Sequence, residues 1–344
     1  MERRKFIKKT AIGSAGFLAS GSVMGHLAQY KDTIIGHNDH RYRIDMGWGA
    51  LNAQQYPVND CHEMVQDSKG RILLLTNHTK NNVIVYDKSG KLIEVWGTEY
   101  PGAHGLTLKV EGGEDFLYIS DNARHEVIKT TVKGKVVQVF PYPEASGKYK
   151  GKDSYVPTET AIADNGDVYV ADGYGEQYIL HYSSKGELLN VFGGKGNGEA
   201  QFQNAHGICI DDRGNGAPTL LITARQQNRL KRFSLSGDFI ASHHFPGAFI
   251  CRPVIDGECV YLATIWSNNG EEGSGFISIL DKDNNLISAP GGCAPKYGEG
   301  GLNKMYQALS IFTHPHDVCV DEDENLYVAQ WNSGKTYPIK LVRT

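Results

Sequence analysis

Three histidines lie far apart in the chain but in similar local sequences. They are found in the strings Ala103-His104-Gly105, Ala205-His206-Gly207 and Pro315-His316-Asp317, and are separated by 102 and 110 residues. Three imidazoles that converge can bind one zinc ion and leave a fourth position open for water or substrate, as catalytic zinc sites do. The sequence therefore predicts a zinc site formed by these three, with His62 or His314 as the alternative third ligand.

Other polar and aromatic residues follow strand-like runs at a second recurring position. Tyr174 and Arg225 both occupy this position. A further set with polar or aromatic side chains is predicted to contact substrate. Its members are His62, His78, Glu159, Arg252, Trp266, His314 and Trp331.

The elements that must position these residues form an internal repeat. Six segments begin near residues 62, 104, 159, 206, 251 and 316, and most contain a second strand similar to Val168-Tyr169-Val170-Ala171-Asp172. Such spacing, with β-branched and aromatic runs broken by Gly, Asp and Asn, is typical of four-stranded propeller blades. We expect an all-β, six-bladed propeller over residues 40–344. Alternate blades would place His104, His206 and His316 about 120° apart around the axis.

The sequence also predicts how the ring closes. The segment from Tyr42 to Gly49 resembles the outer strand Leu189-Asn190-Val191-Phe192-Gly193-Gly194, and it precedes the first repeat. The last repeat has only three strands of its own. The N-terminal strand is therefore expected to complete the last blade, which removes the free edges of an open sheet.

Composition excludes several classes of function. The formal net charge is −4 and no basic stripe is present, so nucleic-acid binding is not expected. No apolar run after the leader is long enough to span a bilayer. The 40 glycines suit a fold with many turns. We expect a monomer that acts on a small-molecule, peptide or glycan substrate.

The first 28 residues resemble a twin-arginine signal peptide. Arg3 and Arg4 are followed by Phe6 and Lys8, and then by a weakly apolar stretch from Thr10 to Met24. This pattern predicts recognition by the twin-arginine export machinery and a periplasmic or secreted protein.

The repeat resembles NHL-repeat propellers over residues 40–344, and a closer resemblance is to peptidyl-α-hydroxyglycine α-amidating lyase. The strings that carry it are Pro157-Thr158-Glu159, Asp172-Gly173-Tyr174, Ala205-His206-Gly207, Thr223-Ala224-Arg225 and His314-Pro315-His316-Asp317. The resemblance implies Zn²⁺ on His104, His206 and His316, Tyr174 as base and Arg225 as a substrate contact. It also implies a structural Ca²⁺ bound by Asp317 and the backbone of Leu106.

Two departures leave other functions open. The family has a substrate-binding arginine at the start of its first blade, where this chain has Val58-Asn59-Asp60-Cys61-His62, and His314 replaces its usual methionine. An exported carbohydrate lyase or hydrolase on the same propeller is one alternative, since Trp266 and Trp331 could stack on a sugar. A non-catalytic ligand-binding propeller is the other.

Overall fold

The computed structural model describes residue 30 and residues 33–214 and 216–344, so the predicted signal segment 1–28 lies outside the described residues. Six antiparallel sheets stand in a ring as the blades of a propeller. The innermost strands of neighbouring blades contact one another around the whole ring. The predicted six-bladed all-β architecture is confirmed.

The strands follow one another outward from the axis in each blade. The chain begins with β1 (Ile34–His37) and β2 (His40–Asp45). Blade 1 contains β3 (Cys61–Gln66), β4 (Ile72–Thr76), β5 (Val83–Tyr86) and β6 (Leu92–Trp96). Blade 2 contains β7 (Ala103–Glu111), β8 (Glu114–Asp121), β9 (Glu126–Thr131) and β10 (Val136–Phe140). Blade 3 contains β11 (Glu159–Ile162), β12 (Val168–Ala171), β13 (Tyr178–Tyr182) and β14 (Leu188–Gly193).

The second half of the ring repeats this order. Blade 4 contains β15 (Ala205–Asp211), β16 (Thr219–Ala224), β17 (Arg229–Ser234) and β18 (Phe239–His244). Blade 5 contains β19 (Ala248–Asp256), β20 (Cys259–Ser267), β21 (Phe276–Leu280) and β22 (Leu286–Ser288). A hairpin of β23 (Tyr297–Gly298) and β24 (Gly301–Leu302) precedes blade 6, which has β25 (Pro315–Val320), β26 (Leu326–Gln330) and β27 (Ile339–Arg343). Single 3₁₀ turns cover Glu144–Ser146, Lys152–Ser154 and Arg225–Gln227.

Blade 6 is completed from the other end of the chain. Strand β2 pairs antiparallel with β27, with Ile44 opposite Leu341, and β1 adds a fifth strand outside it. The predicted closure by the N-terminal strand is confirmed. The sheet begins slightly earlier than residue 40, because Ile34–His37 pairs with β2 as well.

The hydrophobic core lies between blades, in six layers that each join two neighbouring blades. In the layer between blades 1 and 2, for example, Leu73 and Leu75 pack with Leu117 and Ile119. A blade that is covered on both faces buries every side chain of its central strands, which explains continuous apolar runs such as Ile72-Leu73-Leu74-Leu75 in β4. The core therefore holds the strands of neighbouring blades together around the ring. No helix among the described residues is both long and apolar enough to cross a membrane.

Candidate active site

Four histidines surround one mouth of the central channel. His62, His104, His206 and His316 are each at most 5% exposed, and each lies on the innermost strand of its blade. In all four strands the pairing register shifts at the histidine, so that this residue lies in a β-bulge. A bulge re-aims the side chain of the extra residue. The bulges therefore turn the imidazoles out of the blade and towards the axis.

The four rings form two triangles that share one edge. The shared edge is His104–His316, with ring centroids 4.8 Å apart. His206 completes one triangle at 5.0 and 4.8 Å, and His62 completes the other at 4.8 and 4.9 Å. Ligand atoms of His62, His104 and His316 lie within 4.8 Å of one another. Since the nitrogens of a tetrahedral zinc site are about 3.4 Å apart, small ring movements would complete the coordination.

Backbone carbonyls fix the orientation of the two shared imidazoles. Nδ1 of His104 lies 2.9 Å from the carbonyl oxygen of Thr158, and Nδ1 of His316 lies 3.0 Å from that of His62. A carbonyl can only accept a hydrogen bond, so Nδ1 carries the proton in both rings. Nε2 then carries the lone pair in each ring, which is the arrangement that metal-binding histidines use; in His316 this atom has no hydrogen-bond partner, and in His104 it contacts the Tyr174 hydroxyl.

Burial keeps the cluster uncharged. It lowers the pKa of His62 to about 3, and it lowers the pKa of the other three imidazoles well below the usual value. In His206 the charge of Arg225 also lowers the pKa. Neutral imidazole is the form that binds a metal ion. The cluster is therefore ready to bind a cation at neutral pH.

The Tyr174 hydroxyl lies beside this cluster. It is 3.0 Å from Nε2 of His104 and 3.1 Å from Nε2 of His206. Nη2 of Arg225 donates a hydrogen bond to the same oxygen at 3.3 Å. Although 40% of Tyr174 is exposed, the hydroxyl points inward. Desolvation there raises its pKa and the charge of Arg225 lowers it, with a net increase.

Arg225 is buried, and among the described residues it has no carboxylate partner. Its guanidinium lies between the rings of Tyr174 and Trp266, at 5.8 and 5.5 Å from their centroids. Its Nη1 contacts Sγ of Cys251 at 3.8 Å, and its Nε has no hydrogen-bond partner. Burial of an unpaired charge is costly unless an anion compensates it. The arrangement is therefore suited to a ligand that carries a carboxylate.

The loop after β12 holds Tyr174 in place. Asp172 accepts hydrogen bonds from the backbone nitrogens of Val156 and Glu176, both at 2.7 Å. Gln177 donates to the carbonyl oxygens of Gly173 and Gly175 on either side of the tyrosine. Burial of the carboxyl raises the pKa of Asp172 to about 7. The loop is therefore tied on both sides of the residue that faces the histidines.

The residues predicted to contact substrate lie in several different surroundings in the structure. Trp266 packs on Arg225, but Trp331 packs on His314, with ring centroids 5.6 Å apart. Both ring nitrogens of His314 have hydrogen-bond partners within the protein. Nδ1 donates to the carbonyl oxygen of Asn332, and Nε2 accepts from the backbone nitrogen of Gly273. His78 lies in the turn after β4, where Nδ1 accepts from the backbone nitrogen of Lys80. Of this set, only Trp266 and His62 contact the residues around Tyr174 or the histidines.

Two residues predicted to contact substrate lie instead in the channel beneath the histidines. Arg252 is 8% exposed, and Nε and Nη2 donate to the two carboxylate oxygens of Asp317 at 3.0 and 2.8 Å. Glu159 is fully buried, with one carboxylate oxygen 3.8 Å from the Arg252 guanidinium. The bulge in β19 spans Cys251 and Arg252 and directs the arginine downward. Arg252 is therefore paired within the protein, and Glu159 lies beside it with Oε2 free of any hydrogen bond.

Glu63 was not among the predicted site residues, and its carboxylate accepts a hydrogen bond from the backbone nitrogen of Leu106 at 2.5 Å. Burial raises the pKa of Glu63, and Glu159 raises it further. A signal was present, because an acidic residue follows the histidine in both His62-Glu63 and His316-Asp317. The recurrence predicts that both carboxyl groups point into the channel below the imidazoles.

Sequence comparisons find similarity to amidating lyases and to an NHL-repeat protein. Peptidyl-alpha-hydroxyglycine alpha-amidating lyase 1 of Drosophila melanogaster is 29% identical over 266 residues, which are 71% of this chain and 46% of that protein. The chain resembles the amidating lyases. NHL repeat-containing protein 3 of Homo sapiens is 25% identical over 182 residues, 50% of this chain and 52% of that protein. The chain spans about half the length of these curated relatives.

Solved structures support the architecture. A streptogramin B lyase superposes with a TM-score of 0.55 at 17% identity, over 84% of this chain and 95% of that one. At this identity the likeness shows the fold alone. No protein-family model matches the chain. The predicted resemblance to NHL-repeat propellers and to amidating lyases is confirmed.

Proposed function

We propose that this protein is a metal-dependent lyase that cleaves the carbon–nitrogen bond of an α-hydroxyglycine-type substrate. The observation that carries the proposal is the position of the Tyr174 hydroxyl, within hydrogen-bonding distance of His104, His206 and Arg225 at once. A proton-transfer group, a metal-binding cluster and an anion-binding side chain therefore meet at one point. The likeness to the Drosophila lyase supports the same reaction class.

The buried imidazoles support a bound metal ion. Nδ1 of His62, Nδ1 of His206 and Nε2 of His316 have no hydrogen-bond partner. Buried polar atoms without partners are rare and need an explanation, which a cation bound by His206 and His316 would provide for two of these three. His104, His206 and His316 would hold the ion next to Tyr174. A zinc ion bound there would supply Lewis acidity to a substrate hydroxyl.

Arg225 would bind the carboxylate of the substrate. Its guanidinium is buried, has a free Nε, and is fixed between two aromatic rings. An arginine held in this way loses little conformational entropy when it pairs with a planar carboxylate. The substrate carbon that carries both hydroxyl and nitrogen would then lie next to Tyr174.

Tyr174 would move the proton that the reaction requires. It takes the proton of the substrate hydroxyl and delivers one to the departing nitrogen. The carbon–nitrogen bond breaks with its electron pair on nitrogen, and the hydroxyl oxygen forms the carbonyl of glyoxylate. The products are an amide and glyoxylate, so that neither water nor an oxidant is consumed.

We also propose that the protein works outside the cytoplasm. The paired arginines and weakly apolar stretch within residues 1–28 support export through the twin-arginine machinery. Detection of the protein in the periplasmic or culture fraction, and its retention in the cytoplasm after Arg3→Lys with Arg4→Lys, tests this part.

The activity is tested with N-benzoyl-α-hydroxyglycine and zinc-loaded protein, measuring benzamide and glyoxylate. Turnover should disappear with a chelator and return with zinc. Tyr174→Phe should lower the turnover number by about 10²- to 10⁴-fold and leave zinc content unchanged. Tyr178→Phe, four residues later in β13, is the matched control and should retain activity. Absence of turnover by zinc-loaded protein overturns the proposal.

A further inference from the structure

The Arg252 side chain fills the axis of the propeller directly below the histidines. Its guanidinium donates to both carboxylate oxygens of Asp317 and also to two backbone carbonyls, at 3.3 Å for Leu106 and 3.0 Å for Met64. The carboxylates of Glu63 and Glu159 lie 3.5 and 3.8 Å from its Nε. One cation, from blade 5, is thus surrounded by oxygen atoms from four other blades.

The partners of this guanidinium are close in sequence to the histidines. Each hydrogen-bonding partner comes one or two residues after a histidine of the cluster, on the same inner strand. The pairs are Met64 with His62, Leu106 with His104, and Asp317 with His316. The guanidinium therefore joins the three strands that carry these imidazoles, one step below the plane in which they meet.

The residues do not fit the structural Ca²⁺ that the sequence resemblance implied. Calcium requires six to eight oxygen ligands at about 2.3–2.6 Å. The two groups expected to bind it, the Asp317 carboxylate and the Leu106 carbonyl, both accept hydrogen bonds from Arg252. The second Asp317 oxygen also accepts from the backbone nitrogen of Met64 at 2.8 Å. A cation that belongs to the chain already occupies the position.

We propose that Arg252 is a built-in replacement for a structural divalent cation and a positioning residue for the histidine cluster. The planar guanidinium binds a carboxylate in two places and still reaches two carbonyls, which a point charge such as lysine cannot do. Because this cation is covalently attached, the propeller keeps its metal-binding geometry without calcium. The positioning role rests on the proposed binding of a metal ion by the histidines, whereas the replacement of calcium does not depend on it.

The effect of calcium on the melting temperature distinguishes a site filled by the Arg252 guanidinium from a site that binds calcium. Metal-free wild-type protein should show the same melting temperature with and without millimolar CaCl₂. Arg252→Ala leaves three buried carboxyl groups around an empty space, so its melting temperature should be lower and should rise again on addition of CaCl₂ but not of NaCl at equal ionic strength. Arg252→Lys keeps the charge and should not respond to calcium.

Zinc affinity tests the positioning role, measured by competition with a chromophoric chelator. Arg252→Ala should bind zinc about 10- to 100-fold more weakly, as loss of a partner behind metal ligands typically does. Calcium should restore that affinity. The matched control is Arg213→Ala, because Arg213 also binds a carboxylate in two places, that of Asp211 at 2.8 and 2.9 Å, but at the opposite end of β15 from His206. This control should lose stability without a change in zinc affinity or a response to calcium.

Two results would overturn the proposal. One is a wild-type protein that binds calcium stoichiometrically or melts at a higher temperature when calcium is added. The other is a folded Arg252→Ala protein that has normal zinc affinity or gains nothing from calcium. If Arg252→Ala fails to fold, two other measurements decide the question. The wild type should not bind calcium. Arg252→Lys should bind zinc more weakly than both the wild type and Arg213→Ala, but should not lose zinc binding completely.

Discussion

The carbonyl oxygen of Thr158 both orients His104 and excludes a side chain at the next residue. It lies 2.9 Å from Nδ1 of His104, and a Cβ added to Gly105 would approach it to 2.4 Å. The pairing of histidine with glycine in this motif is thus a consequence of two inner strands in close contact. One carbonyl on blade 3 sets the position of an imidazole on blade 2.

Gly105→Ala should therefore damage both stability and the metal site. The strand must move to admit the methyl group, which costs about 1–3 kcal/mol in a well-packed region. The displacement also breaks the hydrogen bond that orients His104. Chemical denaturation and a zinc titration measure the two effects. Gly300→Ala is the control, because a Cβ there meets nothing within 4 Å, and equal behaviour of the two variants would contradict the explanation.

A pair of histidine variants should identify the triangle that holds the ion. The proposed chemistry needs the ion beside Tyr174, and only the triangle with His206 contacts that hydroxyl through two of its members. His206→Ala should lose stoichiometric zinc and activity. His62→Ala should keep the metal, measured by elemental analysis of purified protein. The reverse result would place the ion away from Tyr174 and count against the lyase mechanism.

Removal of the Arg225 charge should affect only substrates that carry a carboxylate. Arg225→Met should raise KM for an α-hydroxyglycine compound by about 10- to 100-fold, as expected for loss of a hydrogen bond to a charged group. The corresponding substrate with a carboxamide should be almost unaffected. Arg229→Met, on β17 of the same blade, provides the control because Arg229 contacts Ser242 instead. Equal losses for both substrates would indicate a purely structural role.

The stability of the protein should depend on pH through Asp172. Burial raises its pKa to about 7 in the folded state, whereas an unfolded aspartate titrates near 4. Between these values the native state binds more protons than the unfolded state. The contribution of Asp172 to the free energy of unfolding is therefore full below about pH 4 and is lost as the pH rises through about 7. Asp172→Asn should remove this slope. The test is the difference in unfolding free energy between wild type and variant across the pH window, which should change with pH.

The repeat and its histidines were predictable because each blade repeats the same local pattern. His104, His206 and His316 occupy equivalent slots, and the ring places equivalent slots around one axis. The direction of Arg252 was not predictable, because it depends on a two-residue bulge whose register is set by pairing with β20. The approach of His62 to the cluster likewise depends on the bulge in β3 and on contact with β25.

The pairing of β2 with β27 has a consequence for the order of folding. These strands are separated by almost the entire described sequence, so that their contact carries a high loop-closure cost, and we expect it to form late. His104 and His316 come from blades 2 and 6, which lie on either side of that seam, and their rings meet only in the closed ring. Metal uptake should consequently follow closure of the ring. The time at which a tightly bound ion appears during refolding would then report when the last step of assembly takes place.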